Sequence, residues 1–232
     1  MIERRPFDAL LNEDLGRLKT RRHFSSTAQH HPPGPGWGCM RVFNDEEIAP
    51  NAGFAWRLHA NIEIVTYVRE GAVTHRDSLG NEGRIEAGSV QVVSAGTGMG
   101  HAEYNLEQVP ARIFQIWLTP SGAGGSPAWG MQPCLLAEGS GCFVAIASGS
   151  DNDHDALPIR ACARILNARL RLGESIAYAL NAPRCAYLVP LSGKVDVGGV
   201  RIHARDGAAI KDIDIVTIVA LENADLLMVD AL

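Results

Sequence analysis

Apolar runs too short to be helices, each closed by turn residues, recur along almost the whole chain and constrain its fold more than any other feature. From Cys39 to Leu118 they are CMRVFN, IEIVTYV, GAVTH, GRIEAG, VQVVSAG and ARIFQIWL. The second half continues with CFVAIAS, ARILNARL, ESIAYAL, CAYLVPLSG, KVDVGG, GAAIKD, IVTIVAL and ADLLMVDAL. Runs of this kind bounded by Gly, Pro, Asn or Asp are strands, and many of them at regular spacing make a sandwich or a barrel. The 24 Gly and 12 Pro supply the turns, and 46% hydrophobic residues suffice for a core. THRDSLGNEGR at 74–84 predicts one hairpin, with Gly80-Asn81 and Gly83 in its loop.

Residues 119–133, TPSGAGGSPAWGMQP, hold four Gly and three Pro. Such a stretch predicts a linker, at 121–137, between an N-terminal barrel at 1–120 and a C-terminal barrel at 138–232. The halves also echo one another. GESIAYAL…YLVPLSGKVDVGGVRIHARDGAAI repeats the order of strand, turn and strand in IEIVTYVREGAVTH…GRIEAGSVQVVSAG, as a duplicated barrel would.

A net charge of −5 gives no overall drive toward nucleic acid. Arg4, Arg5, Arg17, Lys19, Arg21 and Arg22 crowd the first segment, but Glu3, Asp8, Glu13 and Asp14 interrupt them, as on an ordinary solvated surface. The five cysteines form no CxxC pair, which argues against a zinc ribbon or a thioredoxin-type site. Free thiols point to a reducing compartment. The N-terminal MIERRPFDALLNEDLG has no apolar signal region, and no stretch approaches the roughly 18 apolar residues of a membrane helix. A cytoplasmic protein without a membrane partner is the expectation.

Three polar residues in the first half stand out: His59, His101 and Glu103. Side chains two apart on a strand share a face, so His101 and Glu103 project together. Glu63 has the parity of His59 and is expected to face inward with it. Two imidazoles and a carboxylate suit Fe(II), Zn, Ni or Cu, although the same pattern also fits a hydrogen-bonded interior cluster. His75 is placed on an exposed hairpin, His30 and His31 in the Pro-rich HHPPGPGWG, and His203 by itself.

The stretch GFAWRLHANIEIVTYVREGAVTHRDSLGNEGRIEAGSVQVVSAGTGMGHAEYN, with the lead-in GWGCMRVFNDEEIAPNAGF, resembles the diagnostic N-terminal region of the pirin family. The resemblance implies an all-β bicupin of two stacked cupin barrels (double-stranded β-helices, or jelly rolls). It also implies one divalent metal, Fe(II) foremost, in the N-terminal barrel, held by three His and one Glu from an HxH pair and a later HxE pair. The C-terminal barrel is then metal-free. Here the HxE pair is His101-Ala102-Glu103, but the HxH pair is Arg57-Leu58-His59. The implied ligands are thus His59, His101 and Glu103. A guanidinium stays protonated and has no lone pair to give. Arg57 is expected either to pair with Glu103 or Glu63, leaving the site weak or empty of metal, or to turn outward and leave a three-ligand centre.

Two functions follow. The resemblance implies opening of the flavonol ring of quercetin with O₂, Glu103 acting as catalytic residue by taking the 3-hydroxyl proton. The alternative is a metal-poor binding or regulatory protein that takes a small aromatic or anionic ligand, or a protein partner, on the same scaffold.

Overall fold

The computed structural model describes residues 1–25, 37–134 and 141–232. His30 and His31 lie outside the described residues. Apart from a 3₁₀ turn at Phe7–Ala9, the regular structure is strand. The first twelve strands are β1 (Ile2–Arg5), β2 (Leu11–Asp14), β3 (Leu18–Ser25), β4 (Met40–Ile48), β5 (Ala52–His59), β6 (Glu63–Glu70), β7 (Ala72–Asp77), β8 (Glu82–Glu86), β9 (Ser89–Ser94), β10 (Met99–Asn105), β11 (Ala111–Leu118) and β12 (Ala128–Pro133). The rest are β13 (Val144–Ser148), β14 (Leu157–Pro158), β15 (Ala163–Leu170), β16 (Ser175–Ala179), β17 (Cys185–Ser192), β18 (Lys194–Val197), β19 (Val200–His203), β20 (Gly207–Lys211), β21 (Ile215–Ala220) and β22 (Ala224–Ala231).

Each half pairs a large sheet with a small one. The first half has β12-β9-β6-β11-β4-β3-β2 and β5-β10-β7-β8, and the second has β1-β20-β17-β22-β15-β13-β14 and β16-β21-β18-β19. The two orders correspond strand for strand from β5 to β11 and from β16 to β22, so the sequence echo is a structural repeat. Gly71 and Gly193 occupy the same corner in each copy, with φ of 70° and 73°. A Cβ there would strike the backbone O of Pro110 at 2.7 Å or of Asn223 at 2.2 Å. Only glycine tolerates both the left-handed conformation and that approach.

The segment 121–137 contains β12, which runs antiparallel to β9. At the chain start, β1 pairs with β20 of the second half. The chain start thus crosses to the second half, and the two large sheets pack face to face. Alternation sends Val65 and Tyr67 of β6 into this shared core with Phe43, Phe114, Ile116, Tyr187, Val189, Leu227 and Val229. The other face of β6, with Val68, joins Ile48, Phe54, Val73, Ile85 and Ile113 inside the first barrel. No helix among the described residues is long and apolar enough to cross a membrane.

Candidate metal centre

The small sheet of the first barrel carries the polar cluster. On β10, His101 and Glu103 alternate to the barrel side and are 6% and 1% exposed. β7 lies on one flank, with Glu103 opposite His75 and His101 opposite Asp77. β5 lies on the other, where His101 faces Arg57 and Met99 faces His59. The register shifts between His101 and Glu103, so that Glu103 faces Phe54. This bulge admits an extra residue of β5 and re-aims the side chains around it.

The cluster brings together ring and carboxylate groups from three strands. The rings of His59 and His101 lie 5.2 Å apart, and those of His75 and His101 5.6 Å. Ligand atoms of His75, His101 and Glu103 lie within 4.8 Å of one another. His101 Nδ1 comes 3.8 Å from Glu103 Oε1, too far for a hydrogen bond. Nδ1 of His101 and Nδ1 of His75 are both buried without a hydrogen-bond partner. Glu103 accepts from Gln91 Nε2 at 2.6 Å and from Gln115 Nε2 at 3.3 Å. Gln91, Thr66, Gln115 and Asn44 sit in one row across β9, β6, β11 and β4, giving an otherwise apolar wall a polar line beneath the carboxylate.

Burial sets the electrostatics. It pushes the Glu103 carboxyl up to about 7, against the pull of the Gln91 hydrogen bond and the Arg57 charge. Burial and the neighbouring His59, His75 and Arg57 charges bring His101 down to about 4. His59 is lowered by burial and by Arg57. His75 is lowered by burial, which its contact with Asp77 opposes. In all three the shift favours the neutral imidazole, the form that ligates metals. The small, partly open space between Phe54, Ile64, Trp117, His59, His101 and Glu103 is about 10 Å³, room for one ion or water molecule. The unpartnered His101 nitrogen, the buried carboxylate and this hole, which His75 does not line, fit a divalent cation.

Of the residues singled out in the sequence, His59, His101 and Glu103 line one cavity, while the ligand atoms that converge within 4.8 Å are those of His75, His101 and Glu103, without His59. Glu63 joins neither group. A turn at 60–62, with Asn61 at φ 52°, separates β5 from β6 and breaks the parity. Glu63 instead accepts from Ser94 Oγ at 2.5 Å on the face that packs toward the second half. Arg57 forms no ion pair among the described residues. Its guanidinium lies over the Phe54 ring at 4.8 Å, and it lines the rim of the cavity. The expected pairing with Glu103 or Glu63 is not made, because glutamines hold the first and a serine the second.

The sequence reading also misplaced His75. It is 0% exposed, because β7 continues through Asp77 before the hairpin turns. Its ring stacks on Trp129 at 4.8 Å and 6°. Gly83, opposite His75, makes room for this stack, since a Cβ there would meet Trp129 at 2.5 Å. The detectable signal was the alternation Val73, His75, Asp77 on one face of β7.

The second barrel offers no such donors at the matching positions. Val197, four residues beyond Gly193 as His75 is beyond Gly71, pairs with Ile218 where His75 pairs with Glu103. Both belong to an apolar core with Ile176 and Val216.

Comparison with known proteins agrees with this architecture. The pirin family model matches residues 6–118, and the model of the quercetinase C-terminal cupin domain matches residues 145–231. A pirin-like protein of Caulobacter vibrioides is 55% identical over 231 residues, covering all of both chains. The quercetin 2,3-dioxygenase of Escherichia coli K12 is 30% identical over 93% of this chain and 92% of its own. Among solved structures, YhhW of Escherichia coli superposes with a TM-score of 0.93 at 30% identity, over 100% of this chain and 98% of that one. A second structure of that bacterial pirin, in complex with nickel(II), gives a TM-score of 0.91 at 29% identity, over 100% and 99%. With both halves matched in order and a relative 55% identical end to end, the chain belongs to the pirin family of bicupins.

Proposed function

We propose that the first barrel is a metal-dependent dioxygenase centre that acts on flavonols of the quercetin type. The observation that carries this reading is His101 Nδ1, buried and unpartnered beside the Glu103 carboxylate at an ion-sized hole. His59, His101 and Glu103 would hold the ion, and two imidazoles with a carboxylate favour iron(II) while admitting nickel(II). When bound, the ion supplies Lewis acidity and open coordination positions. The chain supplies the rest. Gln91 and Gln115 fix the orientation of Glu103. Held in this orientation, Glu103 would offer a carboxylate oxygen to the flavonol 3-hydroxyl proton. Phe54, Ile64 and Trp117 give the cluster an apolar wall. The hole is too small for a flavonol, so the substrate would lie at the mouth, beside Arg57.

The test is elemental analysis of untagged protein, followed by O₂ uptake and loss of flavonol absorbance with quercetin. About one metal ion per chain and metal-dependent turnover are expected. Loaded protein that leaves quercetin intact would sink the enzymatic reading.

Arg57 favours a second reading. A cation at the cavity rim with no carboxylate partner among the described residues suits a small anionic ligand. On that reading the protein binds or regulates without turnover. Calorimetry with small aromatic carboxylates, compared between the natural protein and Arg57→Met, separates the two.

A further inference from the structure

We infer that His75 supplies the imidazole that position 57 lacks, so that His75 joins His59, His101 and Glu103 as a ligand of the metal. This rests on the reading of the first barrel as a metal centre and adds a residue that the HxH and HxE pairs do not contain.

Three observations carry it. First, His75 is fully buried, its Nδ1 has no hydrogen-bond partner, and its ligand atom lies within 4.8 Å of those of His101 and Glu103. A buried polar atom without a partner is costly and calls for an explanation. A metal would satisfy it.

Second, its other nitrogen is already committed. His75 Nε2 lies 3.2 Å from Asp77 Oδ2. Asp77 is itself held by the backbone N–H groups of Leu79 and Asn81, at 2.9 and 3.0 Å, and by Asn81 Nδ2 at 2.9 Å. A carboxylate so furnished with donors accepts from Nε2–H and leaves Nδ1 as the bare lone pair. Metal-bound histidines characteristically pass their second N–H to a carboxylate in this way.

Third, the ring cannot swing away. Trp129 stacks flat on it, Gly83 leaves the space for that stack, and Gln91 accepts from Trp129 Nε1 at 2.9 Å. That same Gln91 donates to Glu103, so one side chain ties the positions of both groups.

The experiment uses copper(II) as the probe on metal-free, full-length protein. Affinity is measured by competition with a chelator, and coordinated imidazole nitrogens are counted by pulsed electron paramagnetic resonance. His75→Phe keeps a ring against Trp129 without a ligand atom. His75→Asn is run beside it, so that a packing failure in one variant does not stand for both, and thermal melting of the metal-free proteins reports folding. Three imidazoles are expected in the natural protein and two in folded His75 variants, with affinity lower by about 10–100-fold or more. An unchanged nitrogen count and affinity in folded variants would overturn the inference and leave the metal reading standing. A natural protein that takes up no copper would overturn both.

Discussion

Arg57 is the residue at which this chain departs most from what its family resemblance implies, and its effect is electrostatic as well as coordinative. Its charge acts on His59, His101 and Glu103 from a rim position over Phe54. Arg57→Met removes the charge without adding a ligand, and we expect metal affinity to rise about tenfold, which corresponds to ~1.4 kcal/mol. Arg57→His adds an imidazole as well and should bind more tightly than Arg57→Met. Chelator competition on the two variants separates charge from coordination, and equal affinities would mean that position 57 no longer reaches the metal.

Glu46 gives a second prediction at this scale. It is 3% exposed, its Oε1 accepts from Asn44 Nδ2 at 3.0 Å, and its Oε2 has no partner. Burial raises its carboxyl from 4.5 to about 7, opposed by the Asn44 hydrogen bond. A raised acid contributes stability that is fully present below its unfolded value and is lost as the pH rises through the folded one. The window is therefore about 4.5 to 7. Glu46→Gln should stabilise the metal-free protein by about 2–3 kcal/mol near pH 8 and leave it nearly unchanged near pH 4. Urea denaturation at the two pH values checks the sign.

Among the elements, the pairing of β5 with β10 decides whether the cluster forms. Gly53 faces Tyr104 across that pair, and a Cβ there would sit 2.1 Å from the backbone O of Glu103. Backbone cannot yield as the end of a long side chain can. Gly53→Ala should therefore cost about 3 kcal/mol and weaken metal binding through displacement of Glu103. A drop in melting temperature with unchanged metal affinity would show that the strand shifts without carrying the carboxylate. The same elements show what was legible beforehand. The HxE spacing on β10 placed His101 and Glu103 on one face by alternation alone. Glu63 was misjudged because parity does not survive a turn, and His75 because the hairpin was expected to be exposed, whereas β7 runs through Asp77 with His75 on its buried face.

Across the whole molecule, the core between the two large sheets joins the halves. Tyr187 is 0% exposed, packs against Phe24 and Phe43 of the first half at 5.0 and 5.4 Å, and its hydroxyl lies 3.0 Å from His23 Nδ1. Arg205 of the second half reaches Asp45 of the first at 2.7 Å. With β1 also crossing to the second half, the protein should unfold in one calorimetric transition. Tyr187→Ala should lower stability by about 3–5 kcal/mol without splitting that transition, whereas two resolved transitions would mean that the barrels fold independently.

The amino-acid sequence by itself determined the strand rhythm, the duplication, the barrel class and the alternation that points His101 and Glu103 the same way, because these depend on neighbours along the chain. Only the tertiary structure decided which strands flank β10, and with them which donors meet Glu103. His75, Gln91, Gln115 and Trp129 come from four further strands and reach the site through ladder register, a relation between residues distant in sequence. Register likewise set Arg57 opposite His101 yet out on the rim, because one extra residue in a β-bulge redirects side chains and leaves no trace in the spacing of HxH and HxE.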